Sequence, residues 1–75
     1  MNTDNDSDLL HKLFQHTLSD DPNLRAAAYK AMANFNPPDT STISCLMNGL
    51  NDPSATVRKA ASSALLNLGY LNKKK

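Results

Sequence analysis

His11, His16 and Cys45 are the residues whose types first point to chemistry, either as a metal set or as a nucleophile with its base. Their spacing argues against both. Residues 11 and 16 of one helix project about 140° apart, because successive residues turn by roughly 100°. Neighbouring ligands on a helix sit instead at i, i+3 or i, i+4. Two solvated histidines are therefore expected. Cys45 lies beside the apolar stripe of its segment and reads as a half-buried small residue rather than a reactive thiol. The chain has no glycine-rich phosphate loop and no Ser/His/Asp or Cys/His constellation with supporting context. Every acid is Asp, so no Glu is present to pair as general acid and base. The reading is a protein that is not an enzyme and uses no metal and no cofactor.

Charge is informative through its layout. The net value is only +1 over 75 residues, and four of the seven acids (Asp20, Asp21, Asp39 and Asp52) stand where helices should begin. There they cap free backbone N–H groups and complement the helix dipole. The helix bodies carry Lys12, Arg25, Lys30, Arg58 and Lys59, and Lys73, Lys74 and Lys75 follow at the end. With Cys45 as the only cysteine, an internal disulfide is excluded and a reducing compartment is suitable. There is no basic-then-apolar leader and no long apolar run, so a soluble, cytoplasmic protein is expected.

Apolar periodicity predicts four helices and no strand. The first runs from a cap at Asp6 or Ser7 to about Leu18, with Leu9, Leu10, Leu13, Phe14, Thr17 and Leu18 on one face. The second spans about Pro22 to Asn36 with Leu24, Ala28, Ala31, Met32 and Phe35 inside, and ends at Pro37 and Pro38. The third, from Asp39 or Thr40 to Leu50, buries Ile43, Leu46, Met47 and Leu50; Gly49 weakens its last turn. The fourth, about Ser54 to Leu68, buries Val57, Ala60, Ala61, Ala64, Leu65 and Leu68. Gly69 suits the residue after the cap, with Leu71 folding back over the last turn. Three segments are expected: a disordered tail at 1–6, one domain at 7–71 and a basic tail at 72–75.

The helices repeat in pairs. Arg25 and Arg58, Ala28 and Ala61, Met32 and Leu65, and Phe35 and Leu68 are each 33 residues apart, whereas Leu18 and Leu50 are 32 apart. The first inter-helix turn therefore reads as one residue shorter. The stronger copy comprises Leu50, Asp52, Pro53, Val57, Arg58, Ala60, Ala61, Ala64, Leu65, Leu68 and Gly69. This pattern resembles the HEAT repeat, and more closely the short HEAT-like repeats of phycobilisome lyase-type and related bacterial proteins. The resemblance covers about Leu9 to Gly69. It implies an all-α fold of two antiparallel helix hairpins stacked as a minimal α-solenoid. It also implies that Arg25 and Arg58 are structural, each meeting the Asp and carbonyls of a nearby turn (Asp20 or Asp52).

In such an architecture the second helices line the binding face. The candidate face is then Ala26, Tyr29, Lys30, Ala33 and Asn34 on one helix, with Lys59, Ser62, Ser63, Leu66 and Asn67 on the other. The function expected is that of a small protein-binding module, an adaptor, accessory subunit or inhibitor. A solenoid normally needs about three repeats to bury its faces, and this chain has two. Its ends, with Leu9, Leu10 and Leu66 at the edges, are expected to be capped by the tails or docked, through self-association or in a larger assembly. The alternative is a weak nucleic-acid binder acting through Lys30, Lys59 and the Lys73–Lys75 tail. Five basic and four acidic residues in 9–69 fall far short of a basic stripe. A third reading, an accessory to a bilin lyase, rests on the resemblance alone.

Overall fold

The computed structural model describes the backbone of residues 3–35 and 37–71, and side chains from residue 8 onward. Asn36, the expected end of the second helix, and the Lys73–Lys75 tail lie outside the described residues. The elements in order are α1 (Thr3–His16), α2 (Pro22–Met32), α3 (Thr40–Gly49) and α4 (Ala55–Asn67), with no strand among the described residues. They form two antiparallel hairpins, α1–α2 and α3–α4, stacked as a minimal α-solenoid. The most extensive contact is between α2 and α4; α3 also packs on α4, and α1 on α2.

Each boundary has a local cause. α1 starts at Thr3, ahead of the cap expected at Asp6 or Ser7; an acidic opening suits the positive end of a helix dipole. Asp21 caps α2 by accepting the Asn23 N–H at 2.9 Å, and Pro22 fills the first turn, where no N–H is needed. α2 stops at Met32, short of Asn36. The N–H groups of Ala33, Asn34 and Phe35 donate to carbonyls three residues back, which tightens the chain ahead of Pro37. Asp39 caps α3, accepting the Thr42 N–H at 3.0 Å and its hydroxyl at 2.9 Å, and this lets Thr42 be fully buried. Gly69 (φ +84°) closes α4: its N–H donates to Leu66 O and that of Tyr70 to Leu65 O, the paired bonds of a Schellman motif.

The repeat is more regular than the leucines indicate. α1 and α3 end 33 residues apart, at His16 and Gly49, and α2 and α4 begin 33 apart, at Pro22 and Ala55. The first turn is not shorter. Thr17, not Leu18, occupies the place of Leu50; Thr17 is buried and Leu18 is 82% exposed. Thr17 tolerates burial because its hydroxyl donates to Phe14 O at 2.6 Å.

The core comprises Leu13, Ala26, Ala28, Tyr29, Met32, Leu46, Val57, Ala60, Ala61, Ala64 and Leu65, with Leu10, Phe14, Phe35, Ile43, Leu50, Leu68 and Leu71 packed around it. Alanines on α2 and α4 let these helices approach closely. Four residues of the predicted apolar faces are not inside: Leu9, Leu18 and Met47 are exposed, and Leu24 is 39% exposed. Leu24 occupies the same place in its hairpin as the fully buried Val57, but no neighbouring hairpin covers that side among the described residues. Tyr29 moves the other way. It is only 5% exposed, so it belongs to the core and not to the candidate face.

Candidate partner-binding face

The repeated arginines position the two hairpins relative to each other. Arg25 reaches across to the second hairpin, donating from Nε to Asp52 Oδ2 at 2.9 Å and from Nη2 to Oδ1 at 3.0 Å. Its Nη1 donates to Ser19 O at 2.8 Å, so one guanidinium ties its own turn to the next. Asp52 Oδ1 also accepts the Ser54 N–H at 2.9 Å, and Asp52 O accepts Arg58 Nη1 at 2.7 Å. Asp52 is thus the junction of both arginines, one through its carboxylate and one through its carbonyl. Asp20, offered by the sequence as an equivalent partner, is exposed and forms no ion pair among the described residues. A bidentate pair of this kind specifies geometry, which here is the stacking register.

The same contacts set an acid dependence. The Arg25 guanidinium, and then the Ser54 N–H, hold the Asp52 carboxyl below its ordinary range; Asp52 in turn raises Arg25. Asp39 is likewise lowered, by the N–H and then the hydroxyl of Thr42. A carboxyl with a depressed folded-state pKa adds stability that is fully present above its unfolded value, about 4, and is lost as pH falls through the folded value. Asp52→Asn is therefore expected to lower the melting temperature most near neutrality, with the gap to the parent narrowing below about pH 4. Thermal melts from pH 7 down to pH 2 test this, and a gap independent of pH would refute it.

The α2–α4 seam holds a shallow groove of about 220 Å³ lined by Ala26, Lys30, Thr56, Lys59, Ala60 and Ser63. Lys30, Lys59 and Ser63 lie here as the sequence placed them, and Ala26 and Ala60 form the floor. Ser62 and Leu66 are half-buried, and Asn67 is exposed nearer the end of α4. Thr56 was not foreseen, although it shares a helical face with Lys59, Ala60 and Ser63 by the three-to-four-residue rule. Two ammonium groups and two hydroxyls border a floor of alanine, and no acid among the described residues lines the groove. Such an arrangement receives carboxylates, with the hydroxyls free to donate. Tyr29 is absent because its ring turns toward α3, where Gly49 leaves it room.

A second, wider groove of about 580 Å³ runs along the α1 and α3 side, with Phe14, Leu18, Tyr29 and Cys45 among its apolar lining. Burial pushes both the Cys45 thiol and the Tyr29 phenol up. A thiol raised in this way is a poor nucleophile, and its polar contact is Thr17 Oγ1 at 3.9 Å, which is no base. His11 and His16 are both exposed on α1.

A family model described as HEAT repeats matches residues 7–74 of the chain. The match is to these repeats in general and does not single out the phycobilisome lyase type. No curated protein and no solved structure matches significantly. Among the described residues, no helix is long and apolar enough to cross a membrane.

Proposed function

The chain belongs to the HEAT-repeat family, and we propose that it binds a protein partner along the α2–α4 groove without catalysing a reaction. HEAT repeats commonly serve as protein-interaction modules, and the family is generally non-catalytic. The observation that carries the reading is the groove itself, where Lys30 and Lys59 border alanines and hydroxyls with no acid among the described residues in the lining. Its chemistry suits an acidic segment of the partner, with small side chains able to lie on Ala26 and Ala60. In this reading the protein is an adaptor, accessory subunit or inhibitor in the cytoplasm, where its single thiol stays reduced.

The test is a double charge reversal, Lys30→Glu with Lys59→Glu, at two exposed positions. The immobilised full chain captures partners from its native source, which mass spectrometry identifies, and affinity is then measured for each. The double variant is expected to weaken the specific partner by at least about tenfold, or about 1.4 kcal/mol. Retention of every captured partner by the variant removes the groove from the reading. Binding to generic DNA that falls steeply between about 50 and 200 mM salt would transfer the groove to phosphates instead.

A further inference from the structure

Residues 33 apart hold equivalent places in the two hairpins, so a difference in burial between equivalents shows what the neighbouring hairpin covers. Leu24 and Ala27 are exposed where Val57 and Ala60 are buried. In the opposite sense, Phe14 is half-buried where Met47 is 45% exposed. Among the described residues, the first hairpin therefore leaves open the side by which the second packs onto the first, and the second leaves open the side by which the first receives it.

Charge distinguishes these two open sides. Arg58 Nη1 is tethered to Asp52 O at 2.7 Å just as Arg25 Nη1 is tethered to Ser19 O at 2.8 Å. Arg25 then commits Nε and Nη2 to Asp52, whereas the same donors of Arg58 meet no acceptor among the described residues. At the other open side, Ser19 takes the place of Asp52, and the exposed Asp20 and Asp21 follow it directly.

We propose that a second copy of this chain stacks its first hairpin on the second hairpin of the first copy, head to tail, repeating the internal contact. Leu24 and Ala27 of the incoming copy take the positions of Val57 and Ala60, and its Asp20–Asp21 pair supplies the carboxylate for Arg58. The two open sides are complementary to each other and not to themselves, since one is apolar with acids and the other carries Arg58. The contact is heterologous, so it propagates beyond two copies unless a rotation closes it.

Two variants test the proposal. Leu24→Asp spoils one open side and Arg58→Glu the other, both at exposed positions, with the helical circular dichroism signal checking that each folds. Light-scattering mass of the parent is expected to rise with concentration above 8.2 kDa and past twice that value. Each variant alone is expected to stay at 8.2 kDa, and an equimolar mixture to form a 1:1 pair, because each keeps the side the other has lost. If Leu24→Asp unfolds, Ala27→Glu on the same open side replaces it. A parent that stays at 8.2 kDa up to about 1 mM, a variant that associates as the parent does, or a mixture that fails to pair each overturns the proposal. Lys30 and Lys59 are untouched throughout, so failure here leaves the groove reading standing.

Discussion

Replacing Leu65 with alanine is expected to cost about 2–5 kcal/mol, the usual range for emptying a buried leucine site. Leu65 is fully buried, as is its equivalent Met32. Ala61, one turn back on α4, belongs to the same buried cluster and is too small to fill a void. A chain of this length has a total stability on the order of 4–11 kcal/mol, so the variant loses a large share of it. Leu66, the next residue along α4, is half-buried and provides the control. Urea unfolding of both alanine variants, at unchanged slope, should show a far larger drop in midpoint for Leu65 than for Leu66. Equal shifts would mean that α4 does not present Leu65 to the interior.

Gly49→Ala is expected to destabilise the protein, against the direction that helix propensity sets. Taken alone, alanine in place of a helical glycine gains roughly 1 kcal/mol. The added methyl, however, would stand 2.7 Å from Ala61 Cβ and 3.0 and 3.1 Å from Tyr29 Cζ and Cε2. Ala61 is fully buried and its Cβ is fixed to the α4 backbone, so α3 itself must move away. Overpacking of this kind costs about 1–3 kcal/mol, which leaves a net loss of up to about 2 kcal/mol after the propensity gain. Each kcal/mol corresponds to roughly 4–8 °C in a domain of this size. Adding Ala61→Gly should recover part of the loss, since the two sites are in contact and their effects couple. A melting temperature raised by Gly49→Ala would show that the α3–α4 approach is looser than described.

These two residues also mark how much of the fold was legible beforehand. The periodicity of α4 placed Leu65 inside, because 3.6 residues per turn leave one stripe for Val57, Ala61, Ala64 and Leu65. Gly49 reads only as a weak point in a helix, since nothing local reveals that another helix passes within contact of its Cα. The arginines divide in the same way. Their 33-residue spacing beside an Asp-Pro turn was visible as a structural device, and the resemblance to HEAT repeats implied the turn Asp and carbonyls as acceptors. Which Asp met which Arg was not, because Asp20 and Asp52 both flank a turn and only stacking brings Asp52 to Arg25.

For the candidate site the division is similar. The HEAT-like architecture and helical phase together put Lys30, Lys59 and Ser63 on the outer side of the second helices, and they line the α2–α4 groove. Tyr29 carried an equally plausible phase, yet it is buried against Gly49.

The amino-acid order by itself determined the four helices, the caps at Asp21, Asp39 and Gly69 and the three Pro-bearing breaks, since each follows from residues within a few positions of one another, and the 33-residue spacing gave the hairpin repeat. Only the tertiary structure decided that Leu24 stays open while its equivalent Val57 is sealed, that Tyr29 turns inward, and that Asp52 joins the hairpins. Helical phase states which side chains share a face; whether that face meets water or another helix depends on neighbours distant in the chain.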